Sequence, residues 1–199
     1  MSMRRLRIAV LVGGSMVLPA AFAQSVSEYP SSDVAVQAIG SFVHATEDNG
    51  LRQSTTNSGG VLGTYRWYFH RNHGAEFNYG YSLNTQKLEF GGTTAGFKTH
   101  VNEATAAYVL RFPKKRFVPF ALAGAGALVF DLQNGGAVQA RPVFVHGAGV
   151  DWNLSSRVFL RTQYRGQLYN SPDLGVSTIG AVERVTHRAV PSVGFGFRF

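Results

Sequence analysis

Apolar and polar positions alternate with a period of two along most of the chain after residue 33, and a helical period of 3.6 is hard to find there. In residues 75–84, Phe77, Tyr79, Tyr81 and Leu83 share one face, opposite Glu76, Asn78, Gly80, Ser82 and Asn84. The stretch 157–168 repeats the pattern, with Val158, Leu160, Thr162, Tyr164 and Leu168 opposed to Phe159, Arg161, Gln163, Arg165 and Gln167. The last stretch sets Val193, Phe195, Phe197 and Phe199 against Ser192, Gly194, Gly196 and Arg198. One face is greasy and aromatic, the other polar or small. Eight segments of this kind can be marked, at 34–45, 60–70, 75–84, 97–112, 117–130, 142–153, 157–168 and 187–199.

The same alternation fits a soluble sandwich with its apolar face inward, so the connections decide. Three are tight, at 71–74, 113–116 and 154–156. The others, roughly 46–59, 85–96, 131–141 and 169–186, are long and rich in Gly, Asn, Thr and Ser. A membrane-crossing up-and-down barrel has this asymmetry, with short periplasmic turns and longer outside loops. The predicted fold is therefore all-β, an eight-stranded antiparallel transmembrane barrel over residues 33–199 with both ends periplasmic. Residues 117–130 are apolar nearly throughout, yet the stretch is too short for a membrane helix and carries Pro119. It reads as a strand whose alanines, Ala121, Ala123, Ala125 and Ala127, form a small inner face. In 34–45, Val34, Val36 and Phe42 are assigned outward. In 142–153 the faces stay open between Phe144/Ala148/Val150 and Val143/Val145/Gly149.

Residues 1–23 run from a basic start (Arg4, Arg5, Arg7) through an apolar stretch to the small-residue end Ala21-Phe22-Ala23. This is the pattern of a cleaved secretory signal peptide. Residues 24–32 then form a short periplasmic segment. The chain has 19 Lys+Arg against 11 Asp+Glu, and three of those arginines belong to the leader, so what remains is only mildly basic. With no basic run longer than Lys114-Lys115-Arg116, a nucleic-acid surface is disfavoured. The absence of cysteine removes disulfides, thiolate metal sites and cysteine nucleophiles together.

The closing residues Val193-Gly194-Phe195-Gly196-Phe197-Arg198-Phe199 resemble the last strand of bacterial outer-membrane barrels. With Asn102 to Pro113 and Gly147-Ala148-Gly149-Val150-Asp151, the chain is similar to the small eight-stranded group that includes the OmpA membrane domain. The resemblance implies residence in the cell outer membrane, contact with its lipid and lipopolysaccharide, and insertion by the barrel assembly machinery. It also implies that Phe195, Phe197 and Phe199 carry the assembly signal.

Eight strands leave an interior filled by side chains. The alternation places Arg66, Glu76, Glu103, Arg111, Arg161, Arg165 and Arg198 there, where charges must be paired or hydrated. Glu76 and Arg111 are expected to partner near the periplasmic end, and Glu103 to be held by Arg165 or Arg66. His44, His100 and His187 fall at the outer ends of strands and are read as rim residues; His70 and His73 are read as turn residues. No metal or cofactor is assigned. The lipid A deacylases and palmitoyltransferases share the architecture, but no nucleophile and base emerge that would support catalysis here. Nor do Gly59-Gly60, Gly91-Gly92 or Gly135-Gly136 carry a phosphate-loop lysine. The function expected is therefore non-catalytic, with surface loops in structural or interaction roles. A narrow passive pore and a lipid A-modifying enzyme are the alternatives.

Overall fold

The computed structural model describes residues 31–43, 46–48, 51–55, 58–90, 93–132, 138–170 and 185–199. The segment read as a signal peptide and His44 lie outside these residues. Among the described residues ten strands follow in order: β1 (Ser32–Val43), β2 (Thr46–Asp48), β3 (Leu51–Thr55), β4 (Ser58–Tyr68), β5 (His73–Phe90), β6 (Thr93–Arg111), β7 (Phe117–Leu132), β8 (Gln139–Asn153), β9 (Val158–Asn170) and β10 (Val185–Arg198). Eight of them, β1, β4, β5, β6, β7, β8, β9 and β10, form an antiparallel ring that closes where β10 meets β1. At the seam Asp33 faces Arg198, and Ser32 and Phe199 exchange backbone hydrogen bonds of 3.2 and 3.0 Å. Closure leaves the ring no open edge, the condition for placing β backbone in lipid.

Strand parity sets the wall. Val34, Val36, Phe42, Phe77, Tyr79, Leu83, Phe195 and Phe197 point outward and are exposed. Between them Ala35, Gln37, Ile39, Glu76 and Asn78 are buried in the lumen. The faces left open in 142–153 resolve with Val143 and Val145 inside and Phe144 outside. The reading of 117–130 is reversed. Ala121, Ala123 and Ala125 are exposed on the outer wall, while Val118, Phe120, Leu122, Leu128 and Phe130 are buried inside. A small inner face would have left part of the lumen empty, and dispersion favours filling it with large apolar groups. The inner positions that are small are Gly124 and Gly126, where an added Cβ would stand 2.1 Å from the Ala106 carbonyl oxygen and 2.2 Å from that of Ala104.

The two rims differ. At the rim holding the chain ends, short turns at 69–72, 112–116 and 154–157 join the strands. At the far rim the spans 46–59 and 85–96, expected to be loops, contain strand. β5 and β6 stay paired up to Phe90↔Thr93, whereas β7 joins β6 only from Thr99↔Leu132. β3 pairs with the upper part of β5 from Arg52↔Glu89 to Thr55↔Gln86, and β2 pairs with β3. A four-stranded sheet therefore stands beyond the barrel rim. Leu, Phe and Thr recur in 83–90 and 93–99, and neither stretch holds a proline to break the strand.

Candidate functional site

The lumen is tiered. In the tier nearest the chain ends, Arg66 on β4 and Glu76 on β5 lie directly opposite in the register, and Arg66 Nε donates to Glu76 at 2.5 Å. Arg161 on β9 binds Asp151 on β8 at 2.7 Å and Asp33 on β1 at 3.1 Å. Asp151 also receives Arg66 at 3.6 Å and Arg198 at 3.5 Å. The Phe120 ring lies under two of these cations, its centre 3.9 Å from the Arg66 guanidinium and 5.5 Å from that of Arg161. Phe159 similarly meets Arg161 at 4.8 Å and Arg198 at 4.4 Å. Planar guanidinium groups suit such sandwiches between carboxylate and ring.

Glu76 and Arg111 do not partner. The register sets Glu76 against Ala107, which leaves Arg111 four residues, or two inward positions, lower, and Arg66 occupies the carboxylate from the other side. Arg111 instead lies over the Tyr68 ring at 3.5 Å and donates to the Arg71 carbonyl oxygen at 2.7 Å. Tyr68 in turn donates to Asp33 at 2.6 Å.

In the middle tier Arg165 reaches across from β9 to Glu103 on β6 at 2.5 Å and to Thr105 at 3.0 Å. Of the two candidate partners for Glu103, Arg165 holds it and Arg66 does not. Gln167 donates to the second carboxylate oxygen at 2.7 Å, so both oxygens of Glu103 are engaged. Gln37, Thr64, Asn78 and Ser192 continue the polar mesh. In the upper tier Arg188 on β10 donates to Ser41 at 2.7 Å and Ser82 at 2.8 Å, spanning to β5. Beside the polar tiers, Val101, Val109, Leu122, Leu128, Phe130, Val143 and Val145 pack into an apolar core along β6, β7 and β8. The interior is thus crossed by side chains at each level.

Asp33, Tyr68, Asp151 and Arg188 escaped the sequence reading. Their signal was parity: Arg188 shares the even-numbered face of Ser192 and Arg198, and Asp151 the odd-numbered face of Val143 and Val145. A carboxylate among lipid tails is costly, so Asp151 could have settled the faces of its own strand.

His100 lies on the outer wall, its ring nitrogen bonded to the Tyr81 hydroxyl. His70 lies in the turn at 69–72 and His73 begins β5 beside it, and His73 also bonds the Tyr108 hydroxyl. His187 comes beside His146, a residue the sequence reading passed over.

Outside, a girdle of Trp67, Phe69, Tyr108, Phe117, Trp152, Phe197 and Phe199 is exposed around the rim with the chain ends. Trp67 meets Phe69 at 5.8 Å and Phe117 meets Trp152 at 5.7 Å between ring centres. Between this girdle and the far rim the wall is largely apolar, as a bilayer requires. Among solved structures, Neisserial surface protein A aligns with a TM-score of 0.64 at 12% identity, over 85% of this chain and 97% of that one. OprG from Pseudomonas aeruginosa follows at 0.59 and 14% identity, over 86% and 97%. Ail of Yersinia pestis aligns at 0.52 and 16% identity, over 85% and 99%. The chain has the eight-stranded outer-membrane barrel fold. No family model matches it, and no curated protein does. The closed ring, its apolar wall and its aromatic girdle make it a protein of the outer membrane.

Proposed function

We propose that this protein is a non-catalytic surface protein whose far-rim sheet and loops face outside the cell and contact ligands there. The single observation that carries this reading is the sheet of β2, β3 and the upper parts of β5 and β6 beyond the barrel rim. Strand material that spans nothing and closes nothing has no role in holding the barrel. It offers a paired surface for contact with other molecules. The filled lumen favours this role over a pore. Ion pairs and hydrogen bonds cross the lumen at three levels, and the mesh they form supports a wall-holding function. Lipopolysaccharide surrounds the platform, and the barrel assembly machinery inserts the chain, in this reading.

The test expresses the full chain, or a variant with 86–97 replaced by Asn-Gly, in cells lacking the protein. Adherence to immobilised matrix proteins and sulfated polysaccharides is then compared. The account expects both forms to assemble with the same heat-modifiable mobility and adherence to fall to background in the variant. Equal adherence, or discrete conductance steps from the purified chain in a planar bilayer, would contradict it. A changed lipid A mass spectrum in cells lacking the protein would point to the enzyme instead.

A further inference from the structure

The run Lys114-Lys115-Arg116 and Arg157 take no part in the lumen, and the turns at the rim of the chain ends bring them together. All four are exposed. The carbonyl oxygens of Lys115 and Arg116 accept from Asn153, the first from its side-chain amide at 3.2 Å and the second from its backbone N–H at 2.9 Å. Asn153 Oδ1 accepts in turn from Arg198 at 2.5 Å, and the Arg157 carbonyl oxygen accepts the Arg198 N–H at 2.8 Å. Each turn is also closed within itself: Phe112 N–H donates to the Pro119 carbonyl oxygen at 2.8 Å, and Ser155 Oγ accepts from Arg157 and Val158 N–H at 3.3 and 3.0 Å. The cations therefore stand on a pinned arc of backbone. The turns 69–72, 112–116 and 154–157 contain no Asp or Glu. Asp33, Glu76 and Asp151 in the adjoining tier are buried in the lumen and held by Arg66 and Arg161, so they do not neutralise the arc.

The aromatic girdle fixes the level of this arc. Phe112 and Phe117 flank the run and are exposed, Trp152 meets Phe117, and exposed Leu154 opens the turn that holds Arg157. Aromatic belts sit at headgroup depth, so cations a few residues beyond the girdle lie among lipid headgroups. A positive arc at that depth meets phosphate first, and each Lys or Arg near an anionic surface adds about fivefold in affinity. A zwitterionic headgroup brings its own ammonium, which the arc repels, whereas an anionic one brings phosphate alone. We propose that Lys114, Lys115, Arg116 and Arg157 form a binding arc for the phosphate of anionic phospholipids, which this rim selects over zwitterionic ones. With the chain ends periplasmic, the lipids concerned are those of the inner leaflet. The arc stands at the opposite rim from the ligand-contacting sheet, and neither reading depends on the other.

The test refolds the full chain into phosphatidylcholine vesicles carrying a trace of nitroxide-labelled phosphatidylglycerol or phosphatidylcholine. Electron paramagnetic resonance then reads the motionally restricted fraction of each label. The anionic label should associate about fivefold more strongly than the zwitterionic one. That preference should collapse in about 1 M sodium chloride, where charges are screened beyond about 3 Å. The fourfold variant Lys114→Gln/Lys115→Gln/Arg116→Gln/Arg157→Gln should remove it, and Lys115→Arg should keep it. Sodium phosphate should lower the preference no further than sodium chloride of equal ionic strength; a larger drop would assign the arc to free phosphate and overturn the lipid reading. Heat-modifiable mobility checks that each variant is folded. If the fourfold variant does not fold, Lys115→Gln and Arg157→Gln decide the matter, each expected to lower the preference by about twofold. Equal association of the two labels with the natural chain, or an undiminished preference in the folded variants, would overturn the proposal.

Discussion

Asp151 is approached by three arginines from three strands, and Glu103 is held by Arg165 and Gln167 at once, so the lumen depends on a few carboxylates each answering several donors. Removing one member of a buried pair strands the other, at a cost of about 3 to 5 kcal/mol. Glu103→Ala and Arg165→Ala should each lose stability of that order in urea unfolding from lipid vesicles. The double variant should lose less than the two combined, and strict additivity would show that the pair does not interact. Gly196 tests packing in the same way. A Cβ there would stand 2.1 Å from Phe159 Cζ, beneath the ring that carries Arg161 and Arg198. Gly196→Ala should therefore cost about 1 to 3 kcal/mol, and no change would contradict the tight lower tier. At this scale the sequence was informative about which charges point inward and poor at naming partners. Parity tells inside from outside, but Glu76 chose Arg66 over Arg111 because of strand register, which alternation does not encode.

At the scale of the strand, β7 shows what alternation cannot say. Where every residue is apolar, neither face is marked by polarity. The faces of β7 are decided by volume, with Phe120, Leu122, Leu128 and Phe130 filling the lumen and the alanines meeting lipid. Ala123→Leu and Ala125→Leu should accordingly leave unfolding in vesicles unchanged, because lipid accommodates the added bulk. A loss of more than about 1 kcal/mol would mark overpacking of an inner face and reverse the assignment. By contrast, the barrel part of β5, β9 and the closing half of β10 were legible, since each alternates aromatic or aliphatic residues with polar or small ones. The far-rim sheet was missed for a different reason. Gly, Thr and Asn in 46–59 and 85–96 suggested loops, but pairing between neighbouring segments carried the strands past the membrane.

For the whole molecule, the eight-stranded barrel followed from connection lengths as much as from strands: tight turns at one rim and long excursions at the other. That asymmetry gives the molecule its direction, with the turn around Lys115 at the rim of the chain ends and the sheet around Leu88 at the far rim. The chain contains no cysteine, so a single one introduced at either place reports that place alone. Leu88→Cys and Lys115→Cys would be treated on intact cells with a maleimide that does not cross the outer membrane. The account predicts that Leu88→Cys is labelled at once and Lys115→Cys only after the membrane is permeabilised. Labelling of Lys115→Cys on intact cells, with Leu88→Cys protected, would put the sheet in the periplasm and contradict a surface role.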